Sequence, residues 1–199
     1  DQTFNKIFSQ AISNIITRTD NSSAEHLFLV GLAYLDGIDV EIDKKRAVEL
    51  ITFAGNSELP EAMEKLFTMY HDGIGVSLDY SQAIVWSEKI AKYYKRCFSK
   101  QKEKVIEALQ SLAYAYNENG NYKKALEQNL EIYNLSKKSF GRLHQNSLTA
   151  LQGIVYTYNQ LGKYKRALAL GKRIYRLRCR LLGPEHPSTL GSLQGYAYT

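Results

Sequence analysis

Cysteine is scarce in this 199-residue chain, and the two present, Cys97 and Cys179, lie far apart with no CxxC or Cys/His spacing around them. That excludes a disulfide framework and a zinc site of the kind that ligand spacing announces. The four histidines, His26, His71, His144 and His186, are scattered without an i, i+4 partner, so no metal site is expected. Long apolar runs are missing too. Stretches such as "HLFLVGLAYL" fall short of the roughly 18 residues of a membrane span, and no charged-then-apolar leader opens the chain. The expectation is a protein without a membrane span, in a reducing compartment, with the cytoplasm as its location.

Motifs of catalysis are also lacking. "GIGV" at Gly73 has no lysine, follows a helical pattern and not a strand, and reads as a turn more readily than as a phosphate loop. There is no nucleophile elbow and no zinc-protease helix motif. Asp36, Asp72 and Asp79 stand beside loops and could suggest a carboxylate pair, but Asp43 and Asp79 each precede a helix, where aspartate caps. No convergent motif remains, so the chain is expected to be no enzyme and to use no cofactor.

Charge is present but unevenly placed. The net charge of +6 divides into −4 for residues 1–98 and +10 for residues 99–199. Between Lys163 and Arg180 there are eight basic residues and no acidic one. The plain reading of this run is a solvated helix face. The alternatives are an acidic partner or nucleic acid, met by Lys172, Arg173, Arg176 and Arg180.

What dominates the chain is repetition. "ALQSLAYAYNENGNYKKAL" from Ala108 matches "ALQGIVYTYNQLGKYKRAL" from Ala150 at a shift of 42 residues, and a further shift aligns "SLQGYAY" from Ser192. The same shift carries Gly141 to Gly183, His144 to His186 and Leu148 to Leu190. Earlier in the chain a shift of 36 maps Tyr34 to Tyr70, Gly37 to Gly73, Asp43 to Asp79 and Ala47 to Ala83. Each unit reads as helix, glycine-containing loop, helix; Leu109, Leu112, Ala113 and Tyr116 fall at i, i+3, i+4 and i+7, one face of a helix. Repeats with these periods predict an all-α fold of helix-turn-helix units stacked on their neighbours.

The 36-residue units, "VGLAYLDGIDVEIDKKRAVELITFA" and "LFTMYHDGIGVSLDYSQAIVWSEKIA", resemble Sel1-type repeats. The second departs from that pattern at Phe67; the first keeps Gly31 but has Asp39 where the second loop glycine belongs, so its loop is expected to differ. The 42-residue units are similar to the tetratricopeptide repeats of kinesin light chains and their bacterial relatives, with "LGPEHPSTLGSLQGYA" close to a signature. The expected organisation is a capping helix, or the end of a preceding repeat, over residues 1–22, then two Sel1-like repeats over 23–100. Two tetratricopeptide repeats and the first helix of a third follow over 101–199, and the resemblances imply one continuous solenoid, a right-handed α-α superhelix. The chain starts without methionine and stops inside a first helix, which suggests a piece of something longer.

Both resemblances imply a non-catalytic scaffold with a protein or peptide as partner. In tetratricopeptide repeats the first helix of each unit faces the concave groove, which assigns Gln110, Tyr114, Asn117, Gln152, Tyr156, Asn159, Gln194 and Tyr198 to partner binding. Side-chain amides donate and accept together, and tyrosines add flat apolar faces, a combination suited to an extended peptide. A polar solvated face duplicated with the fold is the bland alternative. A second reading is a structural or regulatory spacer that self-associates through its acidic and basic halves. Nucleic acid is the weakest binding reading, because the arginines and the aromatic column fall on different sides. In "LLGPEHPSTL", Gly183 is expected to end a helix in a left-handed cap and His186 to pack or hydrogen-bond at the joint between repeats.

Overall fold

The computed structural model describes residues 23–197, with side chains as far as Ser192. The capping helix expected over 1–22 and Tyr198, expected in the groove, lie outside the described residues, as does the side chain of Gln194. The described residues are all-helical, with helix-turn-helix pairs following one another along the chain. The chain divides into two compact units, residues 1–93 and 94–199, the division falling inside the helix Tyr80–Cys97.

The first unit is built from α1 (Ala24–Asp36), α2 (Lys44–Asn56), α3 (Pro60–Asp72) and most of α4 (Tyr80–Cys97). Its helix ends are written locally. The Ser23 and Asp43 side chains accept from the N–H of His26 and Arg46, and Asp79 accepts from Ser81 and Gln82, so the capping read from sequence for Asp43 and Asp79 is present. Pro60 opens α3, where its missing N–H leaves no bond unmade. The core includes Ala33, Ala47, Ile51, Ala54, Leu66 and Met69, all wholly buried. Trp86 of α4 packs over Gly55, which admits it by having no side chain.

The first loop does not differ from the second, contrary to expectation. Gly37 and Gly73 both take φ 72°, and Asp39 takes φ 59° where Gly75 takes 75°. Each loop also closes with the same long backbone bond, Asp43 N–H to Tyr34 C=O and Asp79 N–H to Tyr70 C=O. Aspartate is one of the few residues that tolerates the left-handed region, at a cost of about 1–2 kcal/mol, so the repeat geometry prevails over the missing glycine. Asp39→Gly is therefore expected to raise stability by about 0.5 kcal/mol, since the greater freedom of unfolded glycine returns part of the relief. A urea midpoint that falls on this substitution would show that the Asp39 carboxylate is itself bonded.

The second unit contains α5 (Lys102–Glu118), α6 (Tyr122–Phe140), α7 (Gln145–Gln160), α8 (Tyr164–Leu182) and α9 (Pro187–Ala197). Each helix packs on the next, and the first helices of successive repeats also touch, α5 on α7 and α7 on α9. The buried stripe of α6, Ala125, Asn129, Ile132 and Ser136, returns in α8 as Ala167, Gly171, Ile174 and Arg178. One detail of the joint differs from the expected left-handed cap: Gly141 and Gly183 have φ 93° and 90° with ψ 165° and 160°, an extended backbone of positive φ that glycine alone takes readily. The histidine after each of them is the N-cap of the next helix. His144 Nδ1 accepts from Asn146 N–H and His186 Nδ1 from Ser188 N–H, which is the hydrogen-bonding role read for that position.

Candidate functional site

The helices α5 and α7 present parallel rows of polar and aromatic residues one repeat apart, and a cavity of about 450 Å³ opens between them. Gln110, Tyr114 and Asn117 line it from α5 and Gln152 and Tyr156 from α7, with Ala113, Thr149, Ala150 and Gly153 between them and Asn129 of α6 completing the wall. Five of the eight residues expected in the groove thus meet in one place. Asn159 is half-buried and does not border this cavity. Every lining residue is uncharged. Tyr114 and Tyr156 keep 49% and 46% of their surface exposed, large apolar faces left open beside side-chain amides. Partial burial raises the Tyr156 hydroxyl pKa, and the negative charge of Glu118 adds to the effect.

The amides are not equally available. Thr157, wholly buried, receives a hydrogen bond from Asn129 Nδ2 at 3.4 Å and lies 3.2 Å from Asn117 Oδ1 and 2.9 Å from the Gly153 carbonyl. Its single proton serves one of those two acceptors at a time. This knot ties α5, α6 and α7 together directly behind the cavity. Gln152 is committed as well: its Nε2 donates to the Gly191 carbonyl at 3.2 Å, and its Oε1 accepts from Arg178 Nη1 at 2.6 Å. One N–H and one lone pair of the carboxamide remain for a ligand. Gln152 is therefore a brace between α7, α8 and α9 as well as a lining residue.

Asn129, Thr157 and Arg178 escaped the reading of the sequence. The signal for Arg178 was nevertheless there, because the spacing 167, 171, 174, 178 is the i, i+4, i+7, i+11 of a buried stripe. The basic run consequently splits. Lys172, Arg173, Arg176 and Arg180 are exposed and border a depression of their own, about 410 Å³, with Ala169 and Leu177, while Arg178 is 2% exposed. The depression and the α5–α7 cavity share no residue. Burial pushes the Arg178 guanidinium below its ordinary pKa. Among the described residues, no group of histidine, cysteine, aspartate and glutamate could hold a metal ion, and no helix is long and apolar enough to cross a membrane.

Paired helices in two periods, with an uncharged cavity between first helices, define a helical-repeat scaffold. The chain carries Sel1 repeats, matched over residues 25–56 and 60–92, followed by tetratricopeptide repeats, matched over 104–180. Among solved structures it is similar to kinesin light chain tetratricopeptide-like repeats of Podosopora anserina, at 18% identity and a TM-score of 0.63, covering 87% of this chain and 82% of that one. A Sel1 repeat protein from Oxalobacter formigenes gives 18% identity and a TM-score of 0.54, covering 98% and 81%. The apo form of RapI gives 15% identity and a TM-score of 0.71, covering 96% of this chain and 52% of that one. At such identities the likeness concerns the fold. No curated protein sequence matches the chain. Repeats of these two kinds generally serve as non-catalytic scaffolds for protein interaction.

Proposed function

We propose that the cavity between α5 and α7 is a groove for an extended, uncharged stretch of a partner protein. The observation that carries this reading is the pair Tyr114 and Tyr156, half-exposed one repeat apart across an uncharged cavity. An apolar side chain of the partner would enter between the two rings, and the amides of Asn117, Gln152 and Gln110 would meet its peptide groups, the division of labour usual for extended-peptide recognition. A charged side chain there would lose its hydration without gaining a counter-ion from the lining.

Peptides selected from a random dodecapeptide display library on the full chain supply the test. Tyr114→Ala and Tyr156→Ala are each expected to weaken such a peptide by about tenfold to hundredfold, the range of an aromatic anchor. Melting should change little, because both rings are half in solvent. Retained affinity in both variants would sink the groove reading. If affinity instead fell on Arg173→Glu and Arg176→Glu, the interaction would belong to the basic surface of α8.

A further inference from the structure

We propose that Arg178 is the positioning residue of this groove: from the core it holds the Gln152 carboxamide in one orientation, its oxygen drawn to the guanidinium and its spare N–H left for a bound segment. The inference rests on the groove reading above.

The orientation is determined from two sides. A guanidinium only donates, so the atom 2.6 Å from Arg178 Nη1 must be the Gln152 oxygen; a backbone carbonyl only accepts, so the atom 3.2 Å from Gly191 O must be the nitrogen. The two constraints agree, and flipping the amide would break both. The remaining N–H belongs to the nitrogen, on the side chain that lines the cavity. No ion pair accounts for Arg178 in the core. It is buried without a carboxylate in bonding distance among the described residues, and the nearest acidic residue in sequence, Glu185, is exposed. The three acceptors that share the two N–H of Nη1 are all neutral: Gln152 Oε1, the Ser188 carbonyl at 2.8 Å and Ser192 Oγ at 2.7 Å. Burying an unneutralised charge works against folding, so packing alone does not account for arginine here. In the preceding repeat the same place holds Ser136, wholly buried and far too short to brace a glutamine in this way. The device therefore acts at one end of the groove only. Because Nη1 also bonds Ser188 and Ser192 at the start of α9, the seating of that helix and the orientation of Gln152 depend on the same guanidinium.

The test uses the full chain, ¹⁵N-labelled, with a fluorescein-labelled dodecapeptide selected on the wild type as probe. Arg178→Met keeps the apolar stem and removes every donor. It should weaken the probe about tenfold, the worth of one well-placed hydrogen bond. The Gln152 side-chain resonances should also move to the values of a solvent-exposed glutamine. Arg178→Lys keeps a cationic donor one bond short of Nη1 and should bind the probe better than Arg178→Met, and Lys165→Ala, exposed on the same helix, should leave affinity unchanged. Unchanged Gln152 resonances and unchanged affinity in Arg178→Met would overturn the proposal, as would a lysine variant no better than the methionine one, which would mean packing alone. Should Arg178→Met not fold, the wild type decides: Arg178 and Gln152 side-chain resonances averaged like those of free amino acids would end the idea. Probe affinity unchanged in both Tyr114→Ala and Tyr156→Ala would remove the groove reading, whereas the Gln152 resonances judge the positioning independently.

Discussion

Gly153→Ala is expected to destabilise the second unit by about 2–4 kcal/mol, combining overpacking with the loss of a buried hydrogen bond. A Cβ at this position would stand 2.5 Å from Asn129 Oδ1 and 3.0 Å from its Cγ. Asn129 cannot swing aside cheaply. It is 5% exposed and its amide is bonded to Thr157, so moving it strands polar atoms in the core. Urea unfolding followed by circular dichroism measures the loss, and Asn129→Ala in the same chain should recover part of it, because the clash and the amide disappear together. An alanine variant as stable as the wild type would mean that α6 and α7 separate without penalty. The same substitution should weaken groove binding, since Gly153 and Asn129 both line the cavity.

The second large effect is expected in the first unit. Gly31→Ala would bring a Cβ to 2.6 Å from Ile51 Cγ1 and, less forgivingly, to 3.2 Å from the Ala47 carbonyl and 3.3 Å from the Ile51 nitrogen. Two of these three atoms are backbone of α2, so relief requires the helices themselves to part. A cost of about 2–3 kcal/mol follows from overpacking at a helix crossing. Thermal melting would register it as a drop of several degrees. The equivalent position of the next repeat, one period on, is Phe67, so the two Sel1 repeats cannot cross their helices identically. A neutral Gly31→Ala would show that α1 sits farther from α2 than 31 and 51 allow here.

These two glycines bear on function through different routes. Gly31 governs whether the first unit packs, whereas Gly153 governs the wall of the cavity and the Asn117–Thr157–Asn129 knot behind it. Arg178 and Gln152 make a second knot at the other side of α7. A helical-repeat groove needs such fixed walls, because a partner bound by a few side chains gains affinity only if those side chains are already ordered.

Much of this protein is local and was therefore determined by the sequence itself. The periods of 42 and 36 residues, the capping aspartates, Pro60 at a helix start and the column of tyrosines and amides all depend on neighbours within a few residues or on simple repetition. The tertiary structure decided what lies between helices. It put Arg178 in the core while its basic neighbours stayed in solvent, engaged Gln152 from behind, and kept Asp39 in a glycine's conformation. The physical reason is the same in each case. A side chain's partners come from other helices, and a backbone torsion follows the packing of the whole repeat; spacing along one chain carries the phase of a residue but not the atom that waits for it.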